Sequence, residues 1–510
     1  MRTGAEYRES LRDGRKVWII GEGLVEDVNT HRATKGMVDE YVAWYDRHFD
    51  PEWQDIVLMP PDGAGKRLPA SYVLPQSIDD LRRMARCYTS TLFLSAGNIT
   101  HTPAYGNIIA LGILHTVQEV GTSQEQIANA AAYRESIART GRFLTFSSGG
   151  ATIGYRLRED ANERSALKIV KETDTGLVVN GKVGMHTSPA FAEDVYIGAL
   201  SGVDYGEQRA SFIVPVNAPG VTIVCRKPAA RYDNAFMAPL SSRYDELDGQ
   251  MWLEDVLVPW ERIFLVNTPG QPNPTPEGIA YWLFWHQLYA WLAKAEFTLG
   301  LALACTDAMG LKEHPQTQEY IVDLLEAVQT VRTCQTAAEL DPEITKAGYY
   351  MPNQLHVSAG SLAMQKARQR MSEILRILPG SSLVVAPSDT DLQAPDMRKG
   401  LEESFGGGGY TAQQRSALLQ MTWDHISSGL DGRESAFELH ANGGIPAWRG
   451  RLRRHFMDYS DLANRVLRQL DLEMPEVDLE SLRNVAQMPR RQVSVPVDST
   501  TSPEPAKTPS

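Results

Sequence analysis

The 510-residue sequence predicts a mainly α-helical protein with a β-rich middle. Three observations carry that prediction. Apolar residues recur at helical spacing up to about residue 145, short alternating apolar runs broken by Gly, Pro and Asp fill about 165–265, and helix-length stretches follow. In the first region, residues 37–47 put Val38, Tyr41, Val42 and Tyr45 on one helical face, and residues 78–91 read the same way. In the second, residues 177–183 read as a hairpin around Asn180-Gly181, and 195–200, 210–216 and 221–225 as short strands. The Val-rich run around Val256-Leu257-Val258 stops at Pro259, which reads as a strand leaving the β-region and turning into a helical one. Beyond the Pro-rich stretch 269–274, residues 285–308, 316–340, 355–377 and 412–430 suit a helix bundle. The expected domains are 1–145 (helical), 146–272 (β), 273–485 (helix bundle) and a disordered tail, 486–510, rich in Ser, Thr and Pro.

Bulk properties narrow the class. A net charge of −13 argues against nucleic-acid binding, which needs a basic face. The one basic cluster, Arg449-Gly450-Arg451-Leu452-Arg453-Arg454, reads as a solvated helix start or a subunit contact. No apolar run approaches the roughly 20 residues of a membrane span, and the N-terminus lacks a signal-peptide apolar region. A cytoplasmic protein without a membrane partner is expected. The four cysteines, Cys87, Cys225, Cys305 and Cys334, show no ligand spacing and read as buried thiols in a reducing compartment.

Several motifs fail on inspection. Trp18-Ile19-Ile20-Gly21-Glu22-Gly23 begins like a dinucleotide fingerprint, but Glu26 stands where the third glycine belongs. Gly406-Gly407-Gly408-Gly409 is followed by no Gly-Lys-Ser/Thr and reads as a helix–helix turn. There is no HExxH or GxSxG, and the histidines are scattered without zinc spacing.

Other segments, taken in order, carry a family resemblance. They are Tyr7-Arg8-Glu9-Ser10-Leu11-Arg12-Asp13-Gly14-Arg15, the stretch 172–181, Pro215-Val216-Asn217-Ala218-Pro219-Gly220, and Ser242-Arg243-Tyr244-Asp245-Glu246-Leu247-Asp248. Ala293-Lys294-Ala295-Glu296-Phe297, Trp423-Asp424 and Gly432-Arg433-Glu434 follow. Together they resemble the 4-hydroxyphenylacetate 3-hydroxylase family, the oxygenase components of two-component flavin monooxygenases. The resemblance implies a fold similar to acyl-CoA dehydrogenases: mainly α with a middle β-barrel between a helical domain and a helix bundle. It also implies a homotetramer, reduced FAD (FADH2) supplied by a flavin reductase component, a small aromatic substrate and O2. The oxidant it implies is a flavin C4a-hydroperoxide.

The same resemblance sets out the pocket. In the family, an Arg-Ser-Pro-Asp-Tyr-like loop and a Leu-Thr-His segment handle the phenol. Here the loop is His101-Thr102-Pro103-Ala104-Tyr105, so Tyr105 matches while His101 replaces the Arg. The second segment is Leu144-Thr145-Phe146, with Phe146 in place of His. Forming phenolate at neutral pH costs about 4 kcal/mol, at 1.36 kcal/mol per unit below a phenol pKa near 10. Loss of two phenol-handling groups therefore points to an altered substrate. The alternative is a non-hydroxylating flavin enzyme on the same scaffold (an oxidase or isomerase), or an inactive binding subunit. Catalytic candidates are His101, Tyr105 and His286, and substrate-binding candidates are His101, Tyr105, Phe146 and His186. Flavin contacts are expected from Thr152, Tyr155, Thr187, Ser428, Gly429, Leu430 and Asp431. No metal is expected. Related 4-hydroxybutyryl-CoA dehydratases pair the equivalent of His286 with cysteines around an iron–sulfur cluster, but Ala293 and a Cys-free 95–105 loop oppose that here.

Overall fold

The computed structural model describes residues 1–147, 167–198, 209–231, 234–267, 277–440 and 444–484. Met1–Trp448 form one compact unit and Arg449–Ser510 a second. The helices of the first unit before the strand-rich region are α1 (Gly4–Ser10), α2 (Lys35–Asp46), α3 (Gln54–Val57), α4 (Ile78–Phe93), α5 (Pro103–Val120) and α6 (Gln124–Thr140). After it come α7 (Glu277–Ala308), α8 (Pro315–Leu340), α9 (Gln354–Ile377), α10 (Asp389–Gln393), α11 (Pro395–Phe405), α12 (Ala412–Ile426) and α13 (Gly429–His440). The second unit carries the short helices Ser460–Leu467 and Glu480–Asn484.

Ten strands form one sheet: β1 (Val17–Ile19), β2 (Gly23–Val25), β3 (Leu144–Ser147), β4 (Lys168–Thr173), β5 (Gly176–His186), β6 (Asp194–Ile197), β7 (Arg209–Pro215), β8 (Val221–Cys225), β9 (Gly249–Pro259) and β10 (Ile263–Asn267). Their order is β10-β7-β6-β3-β5-β9-β8-β1-β2, with β4 paired to β5. Among the described residues β10 and β2 do not pair, so the middle of the chain is an open ladder rather than a closed barrel. The failed fingerprint has a structural use: Val17–Ile19 runs parallel to β8, and Gly21 and Gly23 turn the chain back into β2. The Asn180-Gly181 hairpin is a misreading. Gly176–His186 is one continuous strand, and its register against β9 shifts between Val179 and Gly181. Asn180 donates to Asp255 Oδ1 (3.0 Å), and the extra residue at this shift lies on β9, where Asp255 has φ 51° between the Leu253 and Val256 pairings. The turn lies earlier, where the Thr173 hydroxyl oxygen accepts the N–H groups of Thr175 and Gly176.

The bundle is built on α7, which packs against α4, α5, α8, α9 and α12. Trp282, Trp285 and Trp291 on it are fully buried. Contrary to the expectation that no apolar run approaches a membrane span, Gly278–Ala308 is long and apolar enough to cross a membrane; 67% of its most apolar window is buried within the protein. The Gly406–Gly409 turn links α11 to α12, with Gly407, Gly408 and Gly409 all at positive φ. Two glycines bring the site's elements together. A Cβ on Gly106 would lie 2.4 Å from the Leu144 carbonyl oxygen, so α5 lies directly on β3. A Cβ on Gly97 (φ 70°) would lie 2.3 Å from the Ala290 oxygen, so the loop before α5 sits on the α7 backbone.

Candidate active site

α5 starts where its sequence says it should. Thr102 caps the helix by accepting the Tyr105 N–H (3.4 Å), and Pro103 occupies the first turn, where a missing N–H costs nothing. This start fixes His101 and Tyr105 side by side, with ring centroids 4.2 Å apart. A buried carboxylate anchors the loop. Glu246 Oε1 accepts the N–H groups of Thr100 (2.9 Å) and His101 (2.6 Å), and Oε2 accepts the Thr100 hydroxyl (3.0 Å). The Thr100 hydroxyl also meets His101 Nδ1 at 2.8 Å, and Tyr41 donates to the His101 carbonyl at 2.8 Å. Burial, then the Arg433 charge, lowers His101 to about 3, so its ring is neutral at physiological pH. Burial raises Tyr105, and the Glu246 charge adds to it, so its phenol stays protonated.

His286, from α7, lies behind Tyr105. Its ring is 5.3 Å from Tyr105 and 4.7 Å from Tyr88, and burial lowers it to about 3. Both its ring nitrogens are sealed from solvent without a hydrogen-bond partner. His101 Nε2 and the Tyr105 hydroxyl also make no hydrogen bond among the described residues, and His101 (5% exposed) and Tyr105 (7%) keep a little accessible surface where His286 (0%) has none. The three catalytic candidates thus come together as one cluster of tilted and edge-on rings, in which His101 and Tyr105 keep some accessible surface and His286 keeps none.

Beside these rings lies a buried charge cluster that the sequence did not disclose. Arg433, from α13, holds Asp248 through Nε (2.7 Å) and a terminal nitrogen (2.6 Å), approaches Glu246 at 3.3 Å and contacts Glu434. Arg226 adds a 3.0 Å contact to Asp248. Lys294 on α7 pairs with Glu434 (2.6 Å) and Glu438. The two acids facing Arg433 behave oppositely. Burial drives Glu246 up to about 7 against the pull of Arg433, whereas for Asp248 the hold of Arg433 and Arg226 overcomes burial and keeps it well below the usual carboxylate range. Leu247, between them, has φ 43°; Ala96 and Ser188, also at this junction, have φ 55° and 60°. Such conformations cost of order 1–3 kcal/mol each and mark sites where the surroundings impose the geometry.

The remaining candidates are distributed as follows. Thr187 donates its hydroxyl proton to Asp248 (2.9 Å), so toward a ligand it can only accept. His186 is fully buried on β5 opposite Ser147, with Nε2–H on the Val183 carbonyl (3.1 Å) and Nδ1 sealed without a partner. Burial lowers it to about 4. Phe146 on β3 stacks on Tyr196 at 6.0 Å. Ser428 caps the start of α13: it donates to the Asp424 carbonyl (2.8 Å) and accepts the Leu430 N–H (3.0 Å). Asp431 faces Arg376 at 3.4 Å and Arg368 at 3.8 Å, in a cleft that Lys294, Thr298, His425 and Glu434 also line. Thr152 and Tyr155 lie outside the described residues. Thr100, Glu246, Asp248, Arg433 and Lys294 were missed as site residues. The available signal was charged residues, four of them acids (Asp245, Glu246, Asp248 and Glu434), clustered inside the otherwise family-like segments 242–248 and 432–434.

Comparison with known proteins now bears on this geometry. Models of the 4-hydroxyphenylacetate 3-hydroxylase N terminal and C terminal match residues 3–265 and 278–469. The oxygenase component of 4-nitrophenol 4-monooxygenase/4-nitrocatechol 2-monooxygenase from Rhodococcus opacus is 30% identical over 451 residues, covering 86% of this chain and 85% of its own. An FADH(2)-dependent monooxygenase from Burkholderia cepacia is 30% identical over 450 residues, 86% of each chain. The crystal structure of the oxygenase component of 4-hydroxyphenylacetate 3-monooxygenase with FAD and 4-hydroxyphenylacetate matches at TM-score 0.84 and 25% identity, over 92% of this chain and 99% of that one. A 4-hydroxybutyryl-CoA dehydratase from N. maritimus shares the fold (TM-score 0.78, 15% identity). These matches define the class: an oxygenase component of a two-component, reduced-flavin-dependent monooxygenase, with the acyl-CoA dehydrogenase-like fold and FAD as cofactor. Within that class, the chain belongs to the 4-hydroxyphenylacetate 3-hydroxylase family.

The residues present fit a flavin. Thr187 Oγ1 keeps accepting capacity after donating to Asp248. An isoalloxazine edge presents an N–H donor to such an oxygen.

Proposed function

We propose that the protein hydroxylates a small phenol-like aromatic that differs from a hydroxyphenylacetate, with His101 and Tyr105 as the polar groups that meet the substrate. Reduced FAD comes from a separate flavin reductase, and the protein works as a cytoplasmic homotetramer with domains at 1–145, 146–272 and 273–485. When bound, reduced FAD activates dioxygen and supplies an electrophilic oxygen atom. Everything else falls to the chain's own groups.

The observation that carries the reading is the adjacent His101 and Tyr105 rings, both partly accessible, whose Nε2 and hydroxyl make no hydrogen bond among the described residues. Tyr105, held protonated, donates a hydrogen bond to a ligand oxygen. The neutral His101 brings no positive charge where the family's Arg would stand. Nor is Arg433 available for that purpose, because its guanidinium is already committed to three carboxylates. The pocket therefore gives little electrostatic help to a phenolate and suits an aromatic that is already electron-rich. Phe146 on β3 gives an apolar wall where the family has a histidine. We assign His286 to hold Tyr105 in place from behind, His186 to the wall under the substrate, and Thr187 with Ser428, Gly429, Leu430 and Asp431 to the flavin.

The test mixes the anaerobic protein, loaded with reduced FAD, with oxygenated buffer in the presence of a panel of phenols and anilines. The expected result is delayed return of the oxidised-flavin absorbance, together with a product carrying one atom from isotope-labelled dioxygen. Flavin binding and reoxidation with no oxygenated product from any aromatic would overturn the reading.

A further inference from the structure

The hydrogen bonds around Thr100 fix more than the position of a loop. A threonine hydroxyl has one proton and two lone pairs. Glu246 Oε2 takes that proton at 3.0 Å; the other groups hydrogen-bonded to this carboxylate, the Thr100 N–H and the His101 N–H, are donors, and Arg433 approaches it as a cation at 3.3 Å. The Thr100 oxygen is thus left to accept, and the atom it meets at 2.8 Å is His101 Nδ1. A neutral imidazole carries one proton, so with Nδ1 protonated, Nε2 has a bare lone pair. That atom makes no hydrogen bond among the described residues, and His101 keeps some accessible surface (5%) where His286 has none.

We propose that Glu246, acting through the Thr100 hydroxyl, locks His101 in the Nδ1–H tautomer, so that the ligand group facing Nε2 is an un-ionised hydrogen-bond donor. With the Tyr105 hydroxyl as donor and Nε2 as acceptor, the pair complements a neutral phenol O–H, which both accepts and donates. An anionic oxygen would face a lone pair instead. Glu246 and Thr100 are positioning residues in this scheme, and the ligand half of it rests on the phenol reading above.

The carboxylate form of Glu246 is needed, and several groups set when it exists. Arg433 and Glu434 face it from α13, Asp248 from its own segment, and Tyr41 and Tyr105 sense its charge from α2 and α5. With burial raising Glu246 to about 7, the lock is complete only above that pH.

Two measurements at about pH 8.5, above the Glu246 transition, test the proposal. The first is solid-state NMR of FAD-loaded protein labelled with nitrogen-15 histidine, the His101 signals being those lost in His101→Gln. Wild type and Thr100→Ser should show Nδ1–H. Thr100→Val removes the acceptor. Glu246→Gln places an amide N–H at Thr100, turning the hydroxyl toward Nδ1. Both should move the proton to Nε2. An Nε2–H signal in wild type, or no change in either variant, overturns the proposal; should Glu246→Gln fail to fold, the Thr100 pair decides. The second is absorbance of 4-nitrophenol on binding to FAD-loaded protein. Wild type should bleach the coloured phenolate by binding the neutral phenol, with affinity falling about tenfold per pH unit above the probe's own ionisation. Thr100→Val should lose this bleaching. Bound phenolate colour in wild type overturns the proposal. An Nδ1–H signal with no uptake of any phenol supports the tautomer and overturns the phenol reading.

Discussion

The two sides of the Tyr105 ring carry the same residue type in opposite states. On one side His101 is tethered through Nδ1 and through its backbone, and its other nitrogen makes no hydrogen bond among the described residues on a ring that keeps some accessible surface. On the other side His286 is packed against Tyr88 and Tyr105 with neither nitrogen satisfied. Burial depresses both to about 3, so a perturbed pKa does not tell them apart. Hydrogen bonding does: a tether that leaves one atom open serves a ligand, whereas a sealed, unpaired ring serves packing.

Acid should have the largest effect, because it acts on both sides together. His48, His101, His186, His286 and His425 are all lowered to about 3 or 4 by burial. Above about pH 6.5 these histidines are neutral in both states and cost nothing. Below it the unfolded chain binds protons that the folded one refuses, so stability falls by about 1.4 kcal/mol per unit for each, or about 7 kcal/mol per unit for the five. Urea midpoints measured from neutral pH down into the acid range should collapse steeply; a flat profile would contradict the burial of these rings. Next in size, Arg433→Met leaves Asp248, Glu246 and Glu434 without their cation and should cost about 3–5 kcal/mol in the same assay. A loss under 1 kcal/mol would mean that the cluster is open to water.

Turnover separates the two sides. His101→Ala should lower hydroxylated product per flavin oxidised by about 100-fold or more, while His286→Leu should stay within several-fold. The reverse order would invert the assignment. The smallest effect expected is on stability: His286→Leu removes two unsatisfied buried nitrogens and should be neutral or raise stability by about 1 kcal/mol. A clear loss would show that those nitrogens have partners in solution.

Much of the fold was legible because it rests on periodicity. The long bundle helices follow their apolar spacing, and α4 begins at Ser77, whose side chain accepts the Asp80 N–H. The errors occurred where local chemistry had two meanings. Asn-Gly favours a hairpin turn, but inside β5 the same pair runs on as strand because β9 lies alongside and takes up the mismatch in a bulge of its own. Val17–Ile19 is too short to read as a strand until β8 pairs with it. In the site, His101, Tyr105 and His286 were readable by resemblance and come together in space. Glu246, Asp248 and Arg433 were visible letters in quoted segments, but their joint role depends on α13 folding back onto the 242–248 segment.

The helix Gly278–Ala308 that supports His286 also bears on how the protein is made. Its burial depends on α4 and α5, synthesised before it, and on α8, α9 and α12, which leave the ribosome after it. Until those close, a helix with the length and composition of a membrane anchor is exposed in water. The nascent chain therefore passes through its most aggregation-prone stage between α7 and α12, and refolding yield should fall as protein concentration rises.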